Sequence, residues 1–277
     1  MEIKIVTLSE NTANRGFLAE MGLSMLIEAD GLKVLFDTGA GISTVHNAQL
    51  MGIDLSAVDR IVLSHGHFDH TGGLDDVLKR AGKKQVIAHP AIWGSKYSQS
   101  EGEAERYIGV PSVREGLEAL GASFNLSADP VKLSENVMTT GEIPMVTGYE
   151  EIDADLYIKA GGERRPDTLA DDLALIIDAE FGLVVILGCG HRGIVNTLLY
   201  AQQLTGKELI YAAIGGTHLL HASRDRLEKT AAALKEIGVL YLGASHCTGF
   251  AASAFLAREF SDGFFLNNAG SRFTLPF

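Results

Sequence analysis

Short apolar runs, each closed by a polar, glycine-flanked tip, recur along the chain. Residues 3–8, 22–29 and 33–36 read as strands, and Ala29-Asp30-Gly31 between the last two is a hairpin signal. Residues 60–63 form another apolar run. Short helices are predicted at 44–51 and 74–80, with a strand at 85–88. From 173 onward the pattern sharpens. Residues 173–177 and 183–187 flank the turn Ala179-Glu180-Phe181-Gly182, and Ile194, Leu198 and Ala201 follow at helical spacing. Residues 209–214 read as a strand, Leu227, Ala231, Leu234 and Ile237 mark an amphipathic helix, and 239–242 a last strand. Between 89 and 147 the pattern is irregular and carries Trp93, Tyr97 and Tyr107, which suits a lid or substrate pocket around 90–147. No Pro/Ser-rich linker, charge block or repeat divides the chain, so 1–277 is expected to form one domain.

The polar tips carry the candidate chemistry. Buried runs stop at Asp37, His65, His191, His218 and His246, which predicts one sheet edge lined by reactive groups. The densest tip is Ser64-His65-Gly66-His67-Phe68-Asp69-His70-Thr71-Gly72-Gly73. Imidazole nitrogen and carboxylate oxygen are ligand types of zinc, with manganese and iron as competitors. In an extended segment alternate side chains share a face, so His65 and His67 can converge on one ion while Asp69 and His70 serve a second. The competing reading, a solvated His-rich loop, fits poorly with a tract that follows a buried strand so closely.

Composition narrows the partners. A formal charge of −12 argues against a nucleic-acid backbone, which needs a basic face, and leaves a small substrate. No stretch has the length of a membrane span and the first residues lack the apolar core of a signal peptide, so a cytoplasmic protein is expected. Cys189 and Cys247 are the only cysteines; they give no disulfide framework and suit a reducing compartment, and both lie in candidate site segments. Nothing in the sequence fixes an oligomeric state.

The 64–73 motif, with Phe36-Asp37-Thr38-Gly39 upstream and the strand-end histidines His191 and His246, resembles the metallo-β-lactamase superfamily. That resemblance implies an α/β (α+β) fold, a four-layer αβ/βα sandwich of two mixed sheets flanked by helices, with one or two metal ions at one edge. Further segments are similar to the dihydropterin-ribofuranosylaminobenzene-phosphate synthase-like subfamily: Thr140-Gly141-Glu142-Ile143-Pro144, Asp171-Asp172, Gly188-Cys189-Gly190-His191, Gly215-Gly216-Thr217-His218 and His246-Cys247-Thr248-Gly249.

The resemblance implies His65 and His67 on a first ion, and Asp69, His70 and His246 on a second; the family's third ligand of the first ion is a His before the hairpin, which this chain lacks, and His191, just after the hairpin, is expected to take that place. The alternative for His191 is a cap on the following helix. Where the family carries a bridging Asp after its hairpin, this chain has Cys189; Asp171 and Asp172 stand before the hairpin, and any of the three could substitute. Asp37 is expected to orient a ligand histidine. His218 is expected to hold a phosphate or donate a proton, and Asp69 to orient the attacking water as well as bind metal. Arg164, Arg165 and Arg192 are candidates for an anionic group; His46, His89 and His221 are read as structural or surface residues.

These roles imply a metal-dependent hydrolase of a small phosphoester or related substrate, with zinc the expected ion. The alternative is a synthase that joins a dihydropterin diphosphate to ribofuranosylaminobenzene phosphate with loss of pyrophosphate. A non-catalytic ligand-binding protein on the same fold is the contrasting class, and the intact His-x-His-x-Asp-His cluster argues against it.

Overall fold

The structure is a computed structural model describing residues 1–277. Two mixed sheets stand face to face. The first holds seven strands in the order Arg272–Leu275, Ile3–Ser9, Ser24–Ala29, Leu32–Phe36, Arg60–Val62, Lys84–Ala88 and Ala122–Leu126. The second holds six: Phe264–Leu266, Tyr241–Ser245, Ile210–Gly216, Gly182–Leu187, Ala174–Ala179 and Val137–Thr139. Alternate side chains of each strand point between the sheets, so Ile5, Met25, Ile27 and Phe36 from the first meet Leu175, Ile177, Val184 and Ile186 from the second in one continuous core. Fully burying such a side chain contributes about 1.5–3 kcal/mol.

Helices cover the outer faces. Ser43–Leu50, Leu74–Ala81 and Arg114–Ala119 flank the first sheet, where Ala48, Leu74, Val77, Leu78 and Leu117 pack on Leu35, Ile61 and Val86. Ile194–Thr205, Arg224–Ile237 and Gly249–Phe260 flank the second, with Leu198, Leu234 and Leu256 on Val185 and Ala213. The layers run helix, sheet, sheet, helix, the arrangement that the family resemblance implies. Hairpins form about Asp30-Gly31 and Glu180-Phe181 as their turn residues predict. Strand 241–245 begins later than predicted because the amide of Val239 is taken by Leu234 O of the preceding helix, and the first bond to the neighbouring strand is that of the Leu240 amide to Ile210 O.

A third, antiparallel sheet of Glu163–Pro166, Leu156–Ala160, Lys96–Ser98 and Arg106–Tyr107 stands beside the two large ones. The 90–147 segment is thus shared among three places: part enters this small sheet, 122–126 extends one large sheet, and 137–139 edges the other. No helix is long and apolar enough to cross a membrane.

Topology sets the site. Leu32–Phe36 and Arg60–Val62 are parallel neighbours, as are Gly182–Leu187, Ile210–Gly216 and Tyr241–Ser245. Parallel strands end on the same side, so the residues following them emerge along one edge of the sandwich.

Candidate metal centre

At that edge the buried side chains of His65, His67, Asp69, His70, Cys189, His191 and His246 converge. Ligand atoms of His65, Cys189 and His191 lie within 4.8 Å of one another, and so do those of His70, Cys189 and His246. His67 joins the first group through Nδ1, 3.0 Å from His65 Nε2. Asp69 joins the second through Oδ2, 3.3 Å from His246 Nε2 and 3.8 Å from His70 Nε2. The Cys189 sulfur belongs to both groups and lies 3.1 Å from His70 Nε2.

Hydrogen bonds behind the histidines fix which nitrogen faces inward. Asp37 Oδ2 accepts from His70 Nδ1 at 2.7 Å and from the Ser64 hydroxyl at 2.7 Å, while Asp37 Oδ1 accepts from the Ser64 amide. With its proton given to Asp37, Ser64 Oγ accepts from His65 Nδ1 at 2.8 Å. Asn11 Oδ1 accepts from His246 Nδ1 at 2.8 Å, and Glu10 Oε1 from the His246 amide. In each case Nδ1 donates outward, and the Nε2 atoms of His65, His70 and His246 face the centre. Asp37 and His246 hold left-handed backbone at φ 59° and 54°, a cost that surrounding bonds sustain.

The charge states of three of the rings fit a cation. Burial, reinforced by neighbouring cationic groups, pushes the pKa of His65 and His191 well below the usual histidine value and that of His67 down to about 3. These rings are neutral, the form that ligates. Burial opposes charge on His70 too, but Asp37 and Asp69 outweigh it and raise its pKa to about 9, so an ion on its Nε2 would take the place of a proton. Burial likewise opposes charge on Asp69, yet His70 and His246 hold its carboxyl below the usual range. His67 Nε2 and both ring nitrogens of His191 are buried without a hydrogen-bond partner. Lone pairs and unpartnered nitrogens facing one another across a buried space fit a metal ion.

The two aspartates before the hairpin are held elsewhere. Asp171 accepts from the Gly66 amide through Oδ2 (2.7 Å) and from Lys96 Nζ through Oδ1 (2.8 Å), so neither oxygen is free to replace a bridging carboxylate. Asp172 Oδ2 accepts from the Arg192 amide at 2.8 Å. Its other oxygen has no partner, and burial pushes its pKa up to about 7.

The centre floors a cavity of about 310 Å³. Its walls include Phe68, Ser98, Arg106, Ile108, Asp155 and Leu156 on the small-sheet side, and His218, Leu220, His221 and Arg226 opposite. His218 Nε2 donates to Asp153 Oδ2 at 2.9 Å, and its ring centre lies 4.0 Å from that of His191, the two planes tilted by 48°. Burial opposes charge on His218, but the hydrogen bond to Asp153 outweighs it and raises its pKa to about 10.

Arg164, Arg165 and Arg192 do not line the cavity. Arg164 bonds Gln99 and lies over the Tyr157 ring, Arg165 pairs with Glu163, and Arg192 pairs with Glu142. Arg106 and Arg226 stand there instead. His46 is exposed and His89 Nδ1 accepts from the Ala91 amide, whereas His221, read as a surface residue, is both exposed and on the cavity rim. Glu10 and Asn11 escaped sequence reasoning although they are the polar tip of the first strand, the same signal that marked the histidines. Lys96, Asp153, Arg106 and Arg226 sit in segments whose pattern carries no such signal.

Comparison with known proteins bears on this geometry. The sequence profile of the metallo-beta-lactamase superfamily matches residues 18–202. The 7,8-dihydropterin-6-methyl-4-(beta-D-ribofuranosyl)-aminobenzene-5'-phosphate synthase of Methanocaldococcus jannaschii is 36% identical over 97% of this chain and 95% of its own. A solved metal-dependent hydrolase of the beta-lactamase superfamily is 31% identical, with a TM-score of 0.85 and 98% of each chain covered. Zn(2+)-bound PqqB from Methylobacterium extorquens, 12% identical with a TM-score of 0.56 over 98% of this chain and 99% of its own, shares the fold.

Proposed function

This chain belongs to the metallo-beta-lactamase superfamily, and on that premise we propose that it is a metal-dependent enzyme whose small substrate carries a diphosphate, which is displaced at the centre described above. The observation that carries this reading is the cavity floor: of the seven ligand-type side chains, His67, Asp69, Cys189, His191 and His246 open onto a space lined by Arg106, Arg226, His218 and His221, with His65 and His70 buried behind them. His65, His67 and His191 would hold one ion, Asp69, His70 and His246 a second, and Cys189 would bridge them in place of the family's Asp. Bound there, zinc would supply Lewis acidity, drawing charge from phosphoryl oxygens and stabilising a departing diphosphate or acidifying water.

The chain's own groups do the rest. Arg106 and Arg226 offer charge to phosphate oxygens, and His218, aimed by Asp153, offers an N–H to the leaving group. Phe68, Ile108 and Leu156 give an apolar wall against which a flat heterocycle can lie. The small sheet would act as the wall of this pocket. The full-length likeness to the archaeal synthase favours displacement by a second substrate, with a ribosylated aminobenzene phosphate as acceptor, over simple hydrolysis. Hydrolysis is the second reading, favoured by the 31% identical solved hydrolase.

The test is pyrophosphate release from a dihydropterin diphosphate with and without the acceptor, by protein as purified and after chelation, with bis-p-nitrophenyl phosphate assayed in parallel. Release that requires the acceptor and is lost in His67→Ala and His191→Ala supports the synthase. Metal-dependent turnover without acceptor supports the hydrolase. No metal-dependent turnover of any substrate sinks both.

A further inference from the structure

The wall of the cavity contains a sulfur, that of Cys247, which the proposed chemistry does not use. The sulfurs of Cys189 and Cys247 and a ring nitrogen of His218 lie within 4.8 Å of one another. We propose that these three residues form a cation position of their own, selective for thiophilic ions such as zinc, cadmium or copper(I).

The imidazole is built as a ligand. His218 Nε2 donates to Asp153 Oδ2 at 2.9 Å, while its Nδ1 is buried and has no partner. One ring nitrogen tied to a carboxylate with the other left bare is how metal-ligating histidines are held, and Asp37 holds His70 in the same way. The second sulfur is placed with equal care. Cys247 Sγ accepts from the His218 amide at 3.3 Å and donates to Cys189 O at 3.3 Å. Gly216 makes room for it, since a Cβ there would stand 2.7 Å from that sulfur. His218 itself holds a left-handed backbone at φ 50°.

Two thiolates and an imidazole prefer soft or borderline ions over magnesium or calcium. Three protein ligands beside an open cavity leave a further position for water or a substrate atom. An ion there occupies the His218 nitrogen and the cavity wall, so thiophilic ions in excess would inhibit whatever turnover the centre supports. The position shares only Cys189 with the centre proposed above; the other six ligands of that centre play no part in it.

The test is a cadmium titration of the reduced, chelator-stripped full chain, followed by bound cadmium and by thiolate-to-cadmium ultraviolet absorption. The wild type is expected to bind one ion per chain more than Cys247→Ser or His218→Gln, and the absorption to fall by roughly half in Cys247→Ser, where one of two thiolates is lost. Cys247→Ala is a second variant of the same deletion, and thermal melting of each confirms that it folds. His67→Ala is expected to lose an ion yet keep the full absorption. If His67→Ala and His191→Ala bind as many ions as wild type while the Cys247 effect persists, the histidine centre falls and the sulfur position stands. Unchanged ion count and unchanged absorption in both folded Cys247 variants overturn the proposal.

Discussion

Lys96 Nζ lies 2.8 Å from Asp171 Oδ1, both side chains almost wholly out of solvent, and the other oxygen of Asp171 holds the amide of Gly66 between His65 and His67. Asp167 completes the group, also 2.8 Å from Lys96 Nζ. A lysine on the small sheet thereby fixes the loop that carries the first histidines. Removing one partner of a buried ion pair leaves an uncompensated charge and typically costs about 3–5 kcal/mol. Lys96→Met is expected to lose stability of that order in urea unfolding and to bind zinc more weakly, because two carboxylates are left buried and the Gly66 loop loses its anchor.

Asp37 serves two histidines at once, His70 directly and His65 through Ser64. Loss of such a supporting bond commonly lowers metal affinity roughly 10–100-fold. Asp37→Asn should show that loss in competition with a chromophoric chelator; an unchanged affinity would mean that the two rings are held by packing alone.

Gly188 sits where the strand 182–187 meets the same carboxylate. A Cβ on it would stand 2.1 Å from Ser64 Oγ and 3.2 Å from Asp37 Oδ2. Gly188→Ala must displace Ser64, and overpacking of this kind costs about 1–3 kcal/mol. A lower melting temperature together with weaker zinc retention is expected, since Ser64 and Asp37 orient the ligands.

Asp172 makes stability depend on pH. Its folded pKa, near 7, lies above the ordinary carboxylate value because burial disfavours the charged form. Such a group favours the fold while protonated, so its contribution is full below about pH 4 and lost as pH rises through about 7. At about 1.4 kcal/mol per pKa unit the ceiling is a few kcal/mol. Asp172→Asn keeps an oxygen for the Arg192 amide and cannot ionise. It should melt higher than wild type at pH 8 and match it at pH 4.5; an equal difference at both values would contradict the burial argument.

The local pattern by itself determined much of this protein. Period-two and period-3.6 spacing located the strands and helices, since each depends on neighbours within a few residues. The same reading found the His65–His70 cluster and the isolated tips at Asp37, His191, His218 and His246, because a buried strand that stops at a polar residue is legible one segment at a time. Tertiary structure decided which tips meet. His70 Nε2 touches Cys189 and His246 across 119 and 176 residues of sequence, contacts that exist only because two sheets place their strand ends at one edge. That convergence set Cys189 among both groups of histidines, and turned Asp171 to Lys96 and Asp172 to the Arg192 amide. It also brought Arg106 and Arg226, rather than Arg164 and Arg165, to the cavity. Periodicity records which face of an element is buried; which side chains stand opposite depends on how distant elements pack, and no short window of sequence carries that.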